Sequence, residues 1–368
     1  MLVIGGGVAG LSAAAALSAD ARVVVLEAED APGFHSSGRS ATMLHYALGN
    51  PLVRALTLAS RGTFEDPPTG FTDVPLGRRM PVLVHARAPE TAELDALEAA
   101  IAPFAALDRA GPAEIAALCP ALKTGEGGAV AALVDRNGLR LDPHALLQAY
   151  VRTLRRNGGT LVPGARAAAI VRRSGHWQVA TDRGGTFEAP LLVNAAGAWA
   201  DGIAAMAGVA PVGLTPLRRT IITFDAPDGA DRWPFVKTVG EELYFAPESG
   251  RLLASPMDEV PSAPCDAQPD EEDVALAAYR VEQRTTLQVR RIAHKWAGLR
   301  TFAPDRVPVV GFAPGADGFF WLAGQGGFGL QTAPVMARIA TALATGAAWP
   351  ADGIDPAALD PARFGQAA

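Results

Sequence analysis

Residues 1–27 read MLVIGGGVAGLSAAAALSADARVVVLE, and this stretch decides the fold of the chain. Leu2–Ile4 predicts a short buried strand, and the glycines after it allow a tight turn and a close approach of the backbone to a pyrophosphate. Residues 11–17 predict an alanine-rich helix whose N-terminal amides can bind that group. A second strand over residues 22–26 ends at Glu27, where an acidic side chain can accept hydrogen bonds from a ribose diol. The stretch therefore predicts a Rossmann-like unit that binds a dinucleotide without a 2′-phosphate.

The same stretch is strongly apolar, so an export signal is the alternative interpretation. A signal peptide needs a basic residue before its apolar run, but no Lys or Arg precedes Gly5. The glycines also interrupt the run, and Asp20 follows too soon for a membrane span. We therefore expect a cytoplasmic protein without an export signal, a lipid anchor or an integral membrane segment.

The composition of the chain argues against several classes of protein. With 49% hydrophobic residues, the 368 residues can bury a substantial core and have room for two domains of ordinary size. The 38 acidic residues outnumber the 32 basic ones, which argues against a nucleic-acid partner, because such a partner requires a basic face. Cys119 and Cys265 provide no disulfide framework, and a reducing compartment fits them. No metal site is predicted.

The rest of the chain predicts a second unit that interrupts the first. Asp142 and Pro143 predict the start of the clearest helix. Short apolar runs then predict strands of a second, antiparallel sheet, over residues 220–224, 243–245 and 252–255. A polar helix over residues 271–287 is expected to cover that sheet. Because no linker separates these parts, we predict an α/β chain in which the nucleotide-binding unit is interleaved with a substrate unit.

Three blocks of sequence resemble the FAD-dependent D-amino-acid oxidase and dehydrogenase superfamily. They are residues 5–27, the loop HSSGRSA at 35–41, and the C-terminal pair WAGLRTFAPDRVPVVG at 296–311 and GGFGLQTAP at 326–334. The likeness runs over nearly the whole chain. Residues 50–71 and 192–201 look most like the D-arginine dehydrogenases among the members of this superfamily.

The resemblance implies an FAD-binding Rossmann-like domain interleaved with an α+β substrate domain that is built on an antiparallel sheet. On this basis, residues 1–75, 130–215 and 296–368 are assigned to a discontinuous FAD-binding domain. Residues 76–129 and 216–295 are assigned to the substrate-binding domain. The FAD is expected to be held without a covalent bond.

The nucleotide pattern and the resemblance together predict four blocks of residues that contact FAD. The first block is Gly5, Gly7, Val8, Ala9, Gly10, Glu27 and Ala28, and the second is His35, Ser36, Ser37, Gly38, Arg39, Ser40 and Ala41. The third block is Ala196, Gly197 and Trp199, and the fourth is Gly298, Gly326, Gly327, Phe328, Gly329, Leu330, Gln331 and Thr332.

The resemblance also implies a site that binds the carboxylate of a substrate. Arg300 matches the arginine that clamps this carboxylate, and a guanidinium is a planar, bidentate and always charged partner for it. Tyr244 matches a tyrosine whose hydroxyl adds a hydrogen bond. Arg218 or Arg219 matches a second pocket arginine, with Arg218 slightly preferred. Gly327 and Gln331 match positions near the flavin and the substrate amine, where a helix N-terminus would stabilise negative charge on the reduced flavin.

The chain departs from the D-arginine dehydrogenases at the positions that hold the substrate's side chain. Those enzymes hold a cationic side chain with a glutamate, whereas residues 78–82 here read RRMPV. Their lid tyrosine aligns with Leu48 and a pocket histidine aligns with Met43. Burial of a substrate guanidinium without a partner would cost several kcal/mol, so basic side chains are not expected to be preferred.

An apolar side-chain pocket is expected instead. Met43, Leu48 and Met80 are predicted to form it, and His45 and Tyr46 could replace part of the lost polarity, although a neutral histidine in the core or at the surface is the simpler interpretation of His45.

The leading hypothesis is oxidation of a D-amino acid with an apolar or uncharged side chain. Hydride transfer from the α-carbon to flavin N5 would give the imino acid, which water hydrolyses to a 2-oxo acid and ammonia. The expected partners are this small substrate and an electron acceptor, a quinone or oxygen. The alternatives are oxidation of a secondary amine such as sarcosine or of a 2-hydroxy acid, and a flavoprotein subunit for electron transfer without turnover of its own. The D handedness follows from the resemblance alone.

Overall fold

The computed structural model of the chain describes residues 1–365, which form an α/β fold on two large sheets. The first sheet has six strands within these residues. Their spatial order is Val309–Phe312, Phe319–Ala323, Leu192–Asn194, Leu2–Ile4, Val24–Leu26 and Thr160–Val162. Neighbouring strands are parallel, except that Val309–Phe312 is antiparallel to Phe319–Ala323. The predicted strand at the N-terminus therefore lies in the middle of a Rossmann-like sheet, as the glycine pattern indicated.

Both faces of the six-stranded sheet are buried, which explains why its strands are almost entirely apolar. One face packs against three helices, Val8–Leu17, Pro143–Arg156 and Gly329–Thr345. The other face packs against a three-stranded meander, Ala167–Arg173, His176–Thr181 and Gly185–Ala189. The predicted start of the second helix is confirmed, because the Asp142 carboxylate accepts a hydrogen bond from the Ala145 amide at 2.9 Å.

The second sheet has ten strands within the described residues and is almost wholly antiparallel. From one edge its order is Gln325–Gly326, Ile292–Phe302, Thr215–Asp225, Arg251–Ser255, Tyr244–Glu248, Phe235–Thr238, Val82–Ala86, Ala131–Asp135 and Asp108–Ala110, while Val260–Pro261 pairs with one end of Thr215–Asp225. The pairing of Phe235–Thr238 with Val82–Ala86 is parallel. The predicted polar helix is Glu271–Arg284, and Val274, Ala277 and Val281 pack its apolar side against this sheet.

The remaining elements lie around the two sheets. A small sheet consists of Met43–Leu44, Leu139–Leu141 and Gly77–Arg79. The other α-helices are Pro51–Glu65, Thr91–Ile101, Pro112–Leu118 and Ala200–Met206. Short 3-10 helices span Ser36–Gly38, Ala88–Glu90, Gly197–Trp199, Ala230–Arg232, Pro356–Ala358 and Pro361–Phe364. Among the described residues, no helix combines the length and the apolar character that a membrane crossing requires.

The strand Ala131–Asp135 does not lie in the sheet of the domain to which the sequence assigned it. Ala131–Asp135 belongs to the segment assigned to FAD binding, but it pairs with Val82–Ala86 in the ten-stranded sheet. Thr215–Asp225 and Ile292–Phe302 each span the predicted domain boundaries, and they pair with each other along almost their whole length. The division of the chain into two domains remains a prediction.

Candidate active site

Three neighbouring cavities form one path between Glu27 and Arg300. The outer groove has a volume of about 390 Å³ and is lined by Glu27, His35 and Trp199 among others. The middle groove, of about 100 Å³, shares Gly7, Ser36, Ser37, Ala195 and Gly197 with the outer groove. The inner cavity, of about 300 Å³, shares Ser40, Arg300 and Gly327 with the middle groove. Because the three are contiguous, one elongated ligand and a small molecule at its end can be bound together.

The glycine turn after Leu2–Ile4 opens the path at the start of the first helix. Gly5 has φ +109°, and a Cβ atom there would lie 2.4 Å from the carbonyl oxygen of Ala195. Gly10 packs so closely that its Cβ would lie 2.0 Å from the oxygen of Gly5. Gly7 is the N-cap without a side-chain cap, and residues 7–9 line the middle groove. This uncapped N-terminus suits an anionic phosphate group.

Glu27 is held rigidly at the wall of the outer groove. Its side chain accepts hydrogen bonds from the amides of Gly6 at 2.6 Å and Glu29 at 2.8 Å. Burial raises the pKa of this carboxyl, and the two backbone hydrogen bonds oppose that effect. Each carboxylate oxygen keeps a lone pair, so the residue can still accept hydrogen bonds from a ribose diol.

The loop that follows the second strand lies between the two large sheets. His35 contacts the Glu29 carboxylate at 3.0 Å, and its ring lies 4.6 Å from the Trp199 ring between centroids. The Ser36 hydroxyl donates to the carbonyl of Leu299 at 2.5 Å, and the Ser37 hydroxyl accepts from the Val8 amide at 2.9 Å. These hydrogen bonds hold Ser36 and Ser37 in the walls of the outer and middle grooves.

Arg39 is part of the predicted cofactor loop but lines none of the three cavities. Its guanidinium pairs with Asp266 at 2.6 Å and donates to the carbonyls of Ala267 and Ala297. Its own carbonyl accepts a hydrogen bond from Arg300 Nη2 at 3.1 Å. Arg39 therefore fixes the position of the backbone carbonyl that accepts a hydrogen bond from Arg300.

Arg300 is a buried guanidinium in need of an anion. The residue is 6% exposed, and its Nη1 has no hydrogen-bond partner among the described residues, nor does any of their carboxylates pair with it. Burial is the main cause that lowers its pKa, to about 10, so the group is still charged at neutral pH. Since Arg300 lines both the middle groove and the inner cavity, a carboxylate bound there would meet a ligand of the middle groove.

The alternation of side chains along a strand decides which of two adjacent arginines faces the inner cavity. Arg219 lines the cavity, whereas Arg218 does not. Arg218 points to the face that is covered by the helix Glu271–Arg284, where it pairs with Asp273 at 2.9 Å. The slight preference for Arg218 in the sequence is therefore corrected in favour of Arg219.

Apolar and aromatic side chains form the walls of the inner cavity. Tyr244 is 4% exposed, and its ring stacks on that of Phe235 with centroids 5.2 Å apart. Met43 and Leu48 line the cavity as expected, but Met80 does not. Met80 is 1% exposed and packs in the core behind the wall, so it is removed from the predicted side-chain pocket.

The inner cavity also contains two carboxylates that the sequence did not indicate. Glu259 lies 3.1 Å from Arg219 and 2.7 Å from Arg306. Glu241 Oε1 lies 3.6 Å from the Nζ of Lys237. Both glutamates are in loops that join strands of the ten-stranded sheet, and no local pattern marks such loop positions as part of a site. The arginines at 78 and 79 are exposed and do not line the inner cavity.

His45 lines the inner cavity, whereas Tyr46 does not. His45 Nδ1 accepts a hydrogen bond from the Ala47 amide at 3.1 Å. Burial, with a smaller contribution from Lys237, lowers the pKa of His45 to about 3. The residue is thus a neutral group in the cavity wall and not a source of charge.

The helix Gly329–Thr345 begins where the middle groove and the inner cavity meet. Gly327 lines both of them, and the helix has no side-chain cap at Phe328. Gln331 lines the inner cavity, but its amide already donates to the Thr57 hydroxyl at 2.8 Å. The start of this helix brings a positive partial charge to the middle groove.

The predicted cofactor contacts fall into two groups. Most line one of the three cavities, and the exceptions are Gly10, Gly38, Arg39, Gly298 and Thr332. The glycines among the exceptions allow close packing: a Cβ at Gly298 would lie 2.6 Å from Arg300 Nη1, and one at Gly38 would lie 2.6 Å from the Gly33 oxygen. The Thr332 hydroxyl donates to the carbonyl of Phe328 at 2.9 Å.

The sequence that forms the glycine turn and the elongated path matches a known family. The family described as DAO, FAD dependent oxidoreductase, matches residues 1–343. The chain belongs to the DAO family. Its expected cofactor is therefore confirmed as FAD. The outer and middle grooves fit that cofactor, and Glu27, Gly7 and the serine loop are among the residues that would hold it. Neither Cys119 nor Cys265 lines the path.

Proteins that are similar to this chain differ in their named activities. The hydrogen cyanide synthase subunit HcnC of Pseudomonas aeruginosa is 26% identical over 222 residues, which are 59% of this chain and 51% of that protein. In this comparison the chain spans about half the length of its curated relative. The structure of L-alpha-glycerophosphate oxidase from Mycoplasma pneumoniae, with FAD bound, has a TM-score of 0.83 at 20% identity over 93% of both chains. Glycine oxidase from Geobacillus kaustophilus has a TM-score of 0.83 at 21% identity, over 96% of this chain and 97% of that chain. The resemblance to D-arginine dehydrogenases in particular remains a prediction.

Proposed function

We propose that the protein oxidises a D-amino acid with an apolar or uncharged side chain to its imino acid, which water then hydrolyses to a 2-oxo acid and ammonia. The observation that carries the proposal is Arg300, a buried guanidinium at the junction of the middle groove and the inner cavity that has no carboxylate partner among the described residues. Such a group needs an anion, and the carboxylate of an amino acid provides one.

The residues of the inner cavity then orient the substrate. Arg300 binds the carboxylate, and the Tyr244 hydroxyl adds a hydrogen bond from the adjoining wall. This places the α-carbon toward the middle groove and holds it there. FAD, when bound without a covalent link, supplies the acceptor for the hydride and its two electrons. The start of the helix at Gly329 favours negative charge in the groove.

The walls of the inner cavity support an uncharged side chain. Met43, Leu48 and Phe235 are apolar, and both carboxylates in the lining already contact cations. A cationic substrate side chain would therefore find no free carboxylate in the part of the chain that the structure describes. The choice of the D enantiomer rests on the resemblance to D-amino-acid dehydrogenases.

A secondary amine such as sarcosine is the second candidate. Arg300 would bind the carboxylate of sarcosine in the same way. Glu241 and Glu259 already contact cations, so neither is a free acceptor that would favour a primary amine over a secondary one. Because the relative from Pseudomonas aeruginosa is named as a subunit, a role in a larger assembly is a further candidate, and a separate measurement of the mass of the purified protein tests it.

The test is reduction of the bound flavin under anaerobic stopped-flow conditions. The panel contains D- and L-enantiomers of valine, methionine, phenylalanine and arginine, together with glycine, sarcosine and 2-hydroxy acids. We expect fast bleaching by uncharged D-amino acids and slow bleaching by D-arginine. Bleaching by sarcosine alone would favour the second candidate, and bleaching by hydroxy acids alone would refute both. Addition of oxygen or a soluble quinone then identifies the acceptor.

A further inference from the structure

The strand Phe235–Thr238 contains a fully buried lysine next to the inner cavity. Lys237 is 1% exposed, and its Nζ donates to the carbonyl of Thr238 at 3.1 Å. Side chains alternate along a strand, so Lys237 and Phe235 point to the same face. Lys237 also pairs in register with Tyr244 on the next strand. Phe235 and Tyr244 both line the inner cavity, so the ammonium lies directly behind its wall.

The charged and titratable groups around Lys237 leave it one counterion. His45 and His85 are neutral, because burial lowers the pKa of each to about 3. Arg219 shares Glu259 with Arg306, and the Nε of Arg54 donates to the carbonyl of Tyr46. Among the described residues, Glu241 is the carboxylate that faces the ammonium, at 3.6 Å.

The hairpin that carries Glu241 is held in place from its other side. Glu241 has φ +56°, a left-handed conformation that is unusual for a residue with a side chain. The next residue, Glu242, is anchored by the helix Glu271–Arg284: its carbonyl accepts from Arg280 at 2.7 Å, and its carboxylate contacts Arg284 at 2.5 Å. This anchoring holds the Glu241 carboxylate against the inner cavity.

The two charges of this pair are not equally screened. The Glu241 side chain is 58% exposed, whereas that of Lys237 is 1% exposed. Water weakens the field of an exposed charge far more than that of a buried one. Burial lowers the pKa of Lys237, and Glu241 opposes this shift. With Lys237 protonated, the pair gives the inner cavity a net positive field, which adds to that of Arg300 until a carboxylate neutralises Arg300.

We propose that Lys237 favours the unprotonated amine of a substrate bound to Arg300, and that Glu241 opposes this effect. The inference rests on the proposed function, because an amine can give up a hydride from its α-carbon only when its nitrogen lone pair is free. A positive field disfavours the ammonium form and releases the proton to solvent, so no side-chain base is needed. Lys237 is thus a positioning residue for charge and does not touch the substrate.

The test uses the FAD-loaded protein and its variants Lys237→Met, Lys237→Arg and Glu241→Gln. The ligand is 2-aminoisobutyrate, which has no α-hydrogen and so binds without reaction, and pivalate is its matched control without an amine. Calorimetry in buffers of different ionisation enthalpy measures the protons released on binding. The second measurement is the pH dependence of the limiting rate of flavin reduction at saturating substrate.

The two charge-removing variants are expected to shift in opposite directions. In Lys237→Met the bound amine should lose its proton at a pH higher by about one unit, and in Glu241→Gln at a pH lower by a similar amount. Lys237→Arg should retain the wild-type profile, and pivalate should show no such shifts. Shifts of the same sign, or identical proton release in all variants that bind the ligand, would overturn the inference alone. Failure of the wild-type protein to bind both ligands would overturn the proposed function as well.

Discussion

Arg218 and Arg219 are adjacent in the chain and lie on opposite faces of one strand. The sequence predicted strand structure only from residue 220, so the alternation could not be extended back to these two arginines. The structure begins the strand at Thr215, and parity then directs Arg219, together with Arg300 across the pair, to the inner cavity. Arg300 and Tyr244, which were singled out because their positions match those of the superfamily, line the inner cavity, and their role in substrate binding stays a prediction.

Replacement of Arg300 by lysine tests the carboxylate clamp. A single ammonium cannot reproduce a bidentate hydrogen-bonded pair, and a charge-assisted hydrogen bond contributes about 1.5–3 kcal/mol, so kcat/KM should fall about 100-fold. Steady-state kinetics with the best substrate of the panel measures this loss. The matched control is Arg218→Lys, which alters a neighbouring arginine that pairs with Asp273 outside the cavity and should change kcat/KM less than twofold. Equal losses in both variants would contradict the assignment.

The strand, glycine turn and first helix could be read directly from the sequence, because short-range sterics determine them. Gly5 has φ +109°, and a Cβ at Gly10 would meet the Gly5 oxygen, so both positions have a local reason to lack a side chain. The position of Ala131–Asp135 could not be read in this way, since its pairing with Val82–Ala86 joins segments about fifty residues apart. Glu241 and Glu259 were missed for the same reason: loops of the distant sheet bring them to the cavity.

Two helical glycines provide a matched test of the nucleotide-binding turn. A Cβ at Gly10 would lie 2.0 Å from the Gly5 oxygen, so Gly10→Ala should separate the first helix from its strand and destabilise the protein by about 2 kcal/mol or more. Gly62 lies in the helix Pro51–Glu65, where a Cβ would meet no atom within 4 Å, so Gly62→Ala should stabilise the protein by about 0.5–1 kcal/mol.

Denaturant unfolding of the apoprotein and flavin retention on gel filtration measure the two effects. We expect Gly10→Ala to lose FAD and Gly62→Ala to keep it. A Gly10→Ala variant with normal flavin content and stability would show that the close packing at this turn is not required.

Across the described part of the molecule, two histidines are buried as neutral side chains. Burial lowers the pKa of His45 and His85 to about 3, from an ordinary value of 6.5, and neither nitrogen of His85 has a hydrogen-bond partner among the described residues. Between these two pH values the unfolded chain binds protons that the folded chain does not bind. The contribution of these two histidines to the free energy of unfolding should therefore be at its maximum above pH 6.5 and should decrease as the pH falls toward 3.

His85→Leu tests this acid sensitivity without a change to the inner cavity. The variant should reduce the dependence of unfolding free energy on pH between about 4 and 6 by as much as about 1.4 kcal/mol per pH unit. His144→Leu is the control, because His144 is exposed, and should leave the slope unchanged. Urea unfolding at a series of pH values provides the measurement, and equal slopes in wild type and His85→Leu would disprove the prediction.

The long pair of strands Thr215–Asp225 and Ile292–Phe302 carries one part of the inner cavity, and loops carry another part. Arg219 and Arg300 lie on these two strands, whereas Leu48 and Glu241 lie in the loops at 45–50 and 239–243. If Arg300 is the proposed carboxylate clamp, mutations in these loops can therefore alter which molecules are accepted while the distance between Arg300 and the middle groove is conserved. Laboratory evolution directed at the two loops should yield new substrate preferences quickly, and the same freedom offers a physical basis for the varied chemistry found on this fold.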